Sequence, residues 1–325
     1  MRTGLITSPL AKDRLALLTQ PKLANDFLTR MTFETILDAT RAESVERQRV
    51  HPLADVKRGI AGMGPTRGFA RALKARSFGV IAEIKRKSPS MGMINEAAMD
   101  EAASVYRAHP LVAAISVLTQ NAHFGGTPDD LKRMRQMTER EQKPLLRKDF
   151  IFSAYEVYFS RWIGADAILL MANVLNKEEF AELHDLATLI GLDVLCEVHD
   201  ADEIAVLPRT AKIGGINSRK FKGVNFAVKA RERAAAGSPD ALRDTQTDLS
   251  VFQLVTQLPT EIKVAESGVS SENIGSVLER FPFNAALIGT SLLKSGKAGL
   301  QAHLDAIQRE AEIALRRRGL AGSRV

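Results

Sequence analysis

Two charged side chains interrupt an apolar run near residue 80. Residues 80–92 read VIAEIKRKSPSMG, and the first six have the composition of a buried β-strand except at Glu83 and Lys85. Side chains alternate faces along a strand, so these two share one face. A buried ion pair is an inefficient stabiliser, because desolvating both charges offsets most of their attraction. A carboxylate beside an ammonium does, however, supply a proton acceptor and a proton donor within one site. Taken alone, the run fits an exposed strand end equally well.

Other apolar runs end in the same manner. Lys148 stands near the end of PLLRKDF (144–150) and Glu197 near the end of DVLCEV (193–198). Asn217 closes IGGIN (213–217), with Arg219 just beyond it, while Ser267 and Gly268 close IKVAES and open the turn ESGVS. Gly289 and Thr290 end AALIGT (285–290). A lysine among apolar residues loses hydration, which disfavours its charge, whereas a nearby carboxylate favours it. Such a lysine can act as a general acid, with the carboxylate as its counterpart. The small residues of ESGVS and GTS let backbone N–H groups approach an anion.

These side chains need a frame that brings strand ends together. Eight β-rich runs occur: VIAEIK (80–85), AAISVLT (113–119), PLLRKDF, AILLMA (167–172), DVLCEV, IGGIN, IKVAES (262–267) and AALIGT. Most successive runs start 20 to 33 residues apart, the length of a strand, a helix and two loops, and the sixth and seventh start 49 apart. Strand–helix alternation implies parallel pairing, and continuous apolarity implies strands covered on both faces. Eight such units point to a (β/α)8 TIM barrel, with chemistry at the C-terminal ends of the strands. A dinucleotide-binding open sheet is disfavoured, since no GxGxxG follows the first run. Helix signals agree: NKEEFAELHDLATLIG (176–191) runs from an Asn cap to a Gly stop, and SENIGSVLERF (271–281) opens on a Ser cap. An N-terminal helical extension (28–75) is expected to cover the barrel floor, residues 1–27 have little pattern, and 300–318 read as a closing helix. The barrel domain as a whole is expected to span 28–325.

Composition narrows the function classes. The chain has 325 residues, 45% of them apolar and 26% charged, as in a soluble globular protein. No run is long enough to span a bilayer and the N-terminus lacks the apolar core of a signal peptide, so a cytoplasmic protein without membrane association is expected. The single cysteine, Cys196, lies in an apolar run and reads as a small buried hydrophobe. The six histidines show no ligand spacing such as HExxH, so no metal is expected. A net charge of +7 could suit nucleic acid, but the cations are scattered and aromatics are only 6%. An anionic small molecule fits that charge better, and no nucleic acid is expected.

On the residues alone, three readings stay open. Lys148 could form a Schiff base in an aldolase, the barrel could be an isomerase or another phosphate-binding enzyme, or it could bind ligand without catalysis. A resemblance weighs on that choice. In order, IAEIKRKSPSMG, SVLTQNAHFGG, PLLRKDF, GADAILLMA, CEVHD, GINSR, VAESGVS and LIGTSLL are similar to the motifs of indole-3-glycerol phosphate synthase. The resemblance spans about residues 28–310, and ExKxxSPS together with LRKDF is a specific signature.

That family is a (β/α)8 barrel of tryptophan biosynthesis that acts without metal or organic cofactor on a phosphorylated small-molecule substrate. The resemblance implies that Lys148 is the general acid for ring closure and Glu197 the acid/base partner in dehydration. Glu83 would orient and balance the lysines, and Asn217 would hydrogen-bond the reacting centre. Lys85 and Arg219 would hold anionic groups, Lys85 with a part in the catalytic set. Ser88, Ser267, Gly268, Gly289 and Thr290 would surround the phosphate, and Phe124, Phe150 and Leu169 would form a slot for the aromatic ring. Contact with other tryptophan-pathway enzymes is a further expectation. Departures from the family pattern are Lys220 and Phe221 after GINSR, His123 where an aromatic is commoner, and an apparent insertion at 224–247.

Overall fold

In the computed structural model, the described residues are 33–88, 92–93, 96–220, 246–293 and 296–319. Eight parallel strands close on themselves: β1 (Gly79–Ile84), β2 (Val112–Leu118), β3 (Leu145–Lys148), β4 (Ala167–Met171), β5 (Asp193–Val198), β6 (Ile213–Asn217), β7 (Ile262–Glu266) and β8 (Ala285–Ile288). Each pairs with its neighbour in sequence, and β8 returns to β1 with Gly79 beside Ala285. This is the (β/α)8 TIM barrel expected from the sequence.

Alternation along the strands divides the core in two. Val80, Ala82 and Ile84 of β1 and Val194, Cys196 and Val198 of β5 face outward and pack against the helices. Ile81, Leu146, Leu169, Leu195, Ile213, Val264 and Leu287 face inward and fill the barrel. Both faces are apolar because both are covered. Cys196 is fully buried on the outer face, and burial pushes its thiol well above the ordinary range, which suits a packing role.

Among the described residues, three helices precede the barrel: α1 (Phe33–Val50), α2 (Leu53–Ala61) and α3 (Phe69–Lys74). Then come α4 (Glu96–Ala108), α5 (Pro128–Met137), α6 (Ala154–Trp162), α7 (Lys177–Leu189) and α8 (Ala201–Ile204). A 3₁₀ helix (Leu249–Thr256) precedes β7, followed later by α9 (Ile274–Arg280), α10 (Thr290–Leu293) and α11 (Gly296–Arg317). Asn176 caps α7 in a reciprocal box with Glu179, and Gly191 (φ 83°) lies just past its end. The Ser cap expected at Ser271 is not the one used. Helix α9 starts at Ile274, and Asn273 instead accepts the Ser270 N–H at 2.9 Å and donates to the Gly268 carbonyl at 2.7 Å.

The helical extension serves both ends of the barrel, not the floor alone. Phe69 and Leu73 of α3 are fully buried in the inner core. Backbone N–H groups of Arg67 and Ala70 donate to Asp166 and Asp193, at 2.8 Å each, beside the starts of β4 and β5. Helix α1 lies instead near the C-terminal rim. Its Glu43 accepts the Ala122 N–H at 2.7 Å, in the loop after β2, and its Ser44 and Arg47 both reach Glu156 at 2.6 Å in the first turn of α6. Helical periodicity carries no record of which end of a barrel a helix will meet, so the sequence could not separate the two.

Of the expected segments, 1–27 and 224–245 lie outside the described residues. Gln246–Thr247 pairs antiparallel with Arg219–Lys220 just beyond β6, so the chain returns to the rim where it left.

Candidate active site

Inward-facing positions change character near the C-terminal rim. Below, the barrel is filled by aliphatic side chains; one step above stand Glu83 (β1), Lys148 (β3), Glu197 (β5), Asn217 (β6) and Glu266 (β7), with Lys85 just past β1. They surround a cavity of about 360 Å³. Twelve of the fourteen residues singled out from the sequence line it: Glu83, Lys85, Phe124, Lys148, Phe150, Leu169, Glu197, Asn217, Arg219, Ser267, Gly268 and Gly289. The other two are placed by their backbones only, Ser88 in a short ribbon with Gly92–Met93 and Thr290 as the first residue of α10.

The strand 1 pair does form, with Lys85 Nζ 2.7 Å from Glu83 Oε1 and both side chains buried. Burial works against the Glu83 charge, but Lys85, Lys148 and Arg219 outweigh it and hold the carboxyl below its usual range. Glu83 leans toward β8, where a Cβ on Gly289 would meet its Oε1 at 2.4 Å. Gly289 thus has a steric reason to be glycine apart from any anion.

Lys148 faces three carboxyl groups. Its Nζ lies 3.7 Å from Glu197 Oε2. Burial opposes the ammonium charge, yet the carboxylates of Glu197 and Glu83 outweigh it, so its pKa is raised and it stays protonated. Glu197 is fully buried, and its pKa falls because Lys148 and His199 overcome that burial, with help from Glu266 and Asn217. Glu266 goes the opposite way. Burial, then the adjacent Glu197 charge, push its carboxyl well above the usual range, so Glu266 carries the proton of the pair.

The sequence reading missed Glu266. It stands in IKVAES, two positions after inward Val264, so strand alternation was the signal that could have found it. A paired glycine makes the contact possible. Gly215 lies beside Glu197 across the β5–β6 register, and a Cβ there would meet Glu266 Oε1 at 2.0 Å. The missing side chain lets the β7 carboxyl reach over β6 toward β5. Lys87, also passed over, lines the mouth.

The turn after β7 is shaped by backbone conformation. Ser267 (φ 64°) and Gly268 (φ 70°) are both left-handed, a conformation unusual for serine. Ser218 Oγ donates to the Ser267 carbonyl at 2.9 Å and steadies the turn. A Cβ on Gly268 would come within 3.0 Å of Leu249 Cδ2. On β6, Asn217 Oδ1 accepts the Arg219 N–H at 3.0 Å, which leaves its amide hydrogens as donors.

The family model for indole-3-glycerol phosphate synthase matches residues 33–303. Among curated relatives, each named indole-3-glycerol phosphate synthase, the one from Lachnospira eligens is 38% identical over 70% of this chain and 79% of its own length. That from Bacteroides thetaiotaomicron is 34% identical over 79% and 91%, and that from a Nocardioides species 33% identical over 81% and 93%. The match covers most of both partners and includes every strand that delivers a charged group to the rim. The chain therefore belongs to the indole-3-glycerol phosphate synthase family.

Proposed function

We propose that this cavity converts 1-(2-carboxyphenylamino)-1-deoxyribulose 5-phosphate to indole-3-glycerol phosphate, releasing carbon dioxide and water, by lysine and glutamate acid–base catalysis. One observation supports the assignment of roles: the Lys148 ammonium stands 3.7 Å from the fully buried Glu197 carboxyl at the cavity, and each favours the charged form of the other. Ring closure needs a proton on the ketose oxygen as the aromatic carbon attacks the carbonyl carbon, and Lys148 supplies it. Loss of carbon dioxide from that ring carbon leaves its electron pair in the ring. Dehydration then removes a proton to Glu197, while the former carbonyl oxygen departs as water with a second proton. Glu83 orients and charge-balances the two lysines, and Asn217 hydrogen-bonds the reacting centre.

Binding follows the same division of labour. Lys85 and Arg219 meet the anthranilate carboxylate, and Phe124, Phe150 and Leu169 enclose the ring. The phosphate sits among Ser88, Ser267, Gly268, Gly289 and Thr290. This is supported by the position of those turns after β7 and β8, where barrels of this kind take phosphate. Residues 28–325 form one barrel domain, with 1–27 as an extension and 224–247 as an insertion. A cytoplasmic location rests on the lone buried cysteine, and contact with other tryptophan-pathway enzymes rests on shared intermediates alone. Among the described residues, no helix is long and apolar enough to cross a membrane.

A Schiff-base aldolase is the weaker reading, since imine formation needs a neutral amine and the carboxylates around Lys148 keep it charged. Indole fluorescence after addition of the carboxyphenylamino substrate tests the proposal. Rapid product formation supports it, whereas no product, together with borohydride trapping of a keto-phosphate on Lys148, would replace it with the aldolase.

A further inference from the structure

His199 stands just beyond β5, with its ring between two carboxylates. Nδ1 is 3.1 Å from Glu203 Oε2, and Nε2 is 3.4 Å from Glu197 Oε1. The same Glu203 oxygen accepts the His199 backbone N–H at 2.7 Å, so Glu203 grips both ring and main chain. Glu203 is anchored in turn, because its N–H donates to Asp200 Oδ1 at 3.0 Å in the cap of α8. The ring is only 10% exposed and does not line the cavity wall, and it faces the site across Glu197.

Glu197 needs such a support. At 3.7 Å, Lys148 attracts it without a tight hydrogen bond to fix its direction, and His199 Nε2 is nearer. A ring whose two nitrogens each face a carboxylate oxygen, at 3.1 Å and 3.4 Å, is favoured as an imidazolium, because only that form turns an N–H toward both. We propose that His199 is a positioning residue for the reaction, linking Glu203 to Glu197 and fixing the direction of the Glu197 carboxylate. The charged groups that face it agree with a cationic ring. Burial disfavours the charge and Lys148 on β3 repels it, but Glu203 on α8 and Glu197 on β5 outweigh both.

This inference rests on the reading of Glu197 as the reacting base. Without the imidazolium, Glu197 keeps Lys148 but loses a cation, and its carboxyl binds a proton more readily. His199→Asn retains an amide near the Nδ1 position and cannot reach Glu197. Its acid limb in the pH profile of kcat should move up by about one unit, lowering kcat about tenfold at pH values below the wild-type limb and little at neutral pH, with KM within about twofold. Glu203→Gln, at the edge of the site, should move the limb the same way by less, and it decides the matter if His199→Asn does not fold. Nitrogen NMR of the wild-type ring at pH 7 should show both nitrogens protonated.

A neutral ring, or an unmoved limb in both variants, overturns the role of His199. Glu197→Gln separates the two readings. If it is inactive while the limb in His199→Asn stays put, only the present inference fails; if it keeps full activity, the reading of Glu197 itself fails.

Discussion

Lys148 illustrates how a site of this kind sets protonation with neighbours instead of solvent. Burial alone would strip its charge, and the carboxylates of Glu197 and Glu83 restore it. Lys148→Met removes both the donor and the charge that Glu197 and Glu83 rely on, so kcat should fall by about 10²–10⁴. The fold should survive, since the side chain borders a cavity; steady-state kinetics beside a circular-dichroism melt checks both. A variant keeping more than about a tenth of wild-type kcat would contradict the role. Glu266 makes a different prediction, because its folded pKa is raised by burial and by Glu197. A raised carboxyl contributes stability below its unfolded pKa and loses it as pH rises through the folded pKa. Wild-type stability should therefore decline as pH rises from the unfolded carboxyl value to the raised folded one, and Glu266→Gln, neutral throughout, should flatten that decline. Urea unfolding at a series of pH values tests this, and parallel curves would refute it.

Elements position those residues through contacts that a strand pattern does not display. Gly215 on β6 gives Glu266 its route to Glu197. Gly215→Ala should displace the Glu266 carboxyl and lower kcat about tenfold or more, as misplacement by an ångström can cost far more than that. Unchanged kinetics would mean that the two carboxyls need not meet. Helix α1 is tied to the site end by a buried network. Arg147, next to Lys148, contacts Glu156 at 2.8 Å and Asp149 at 2.9 Å, and Glu156 also takes Arg47 and Ser44 from α1. Burial opposes the Glu156 charge, but Arg147 and Arg47 outweigh it and keep its pKa low. That stability is present above the unfolded carboxyl pKa and is lost as pH falls through the folded one. Glu156→Gln leaves two guanidinium groups undercompensated, and breaking a buried pair in this way costs about 3–5 kcal/mol. Chemical denaturation at neutral pH should show a loss of that size that shrinks in acid.

At the scale of the whole molecule, the open question is the segment between β6 and β7. Its flanks form the ribbon of Arg219–Lys220 with Gln246–Thr247, beside the turn that carries Gly268. We expect deletion of 226–245, bridged by a short Gly-Ser linker, to keep kcat/KM within about threefold, or about 0.7 kcal/mol of transition-state binding. Its residues include few large apolar side chains with which to close on a ring, while Lys229, Arg231 and Arg233 could attract an anionic substrate. Kinetics at low and physiological salt distinguish the outcomes. A loss confined to low salt means steering, and a tenfold loss at both means that the segment closes over the substrate.

Local spacing determined a great deal here. Eight apolar runs became the eight strands in order, and alternation put Glu83, Lys148, Glu197 and Asn217 on the inner face. Those properties are legible because a strand's period of two fixes the face, and strand–helix alternation fixes parallel pairing. Glu266 was equally legible by that rule, two positions after inward Val264. What only the closed barrel decided is which groups meet across strands. Glu266 reaches Glu197 over a glycine, Glu83 leans over Gly289, and His199 joins Glu203 to Glu197. Helix α1 likewise found its place by the rim because Glu43, Ser44 and Arg47 have their partners there. Distances between strands depend on closure and register, which pair residues far apart in the chain, and charge states follow from those distances. Sequence fixes what each strand presents, and tertiary structure fixes what it faces.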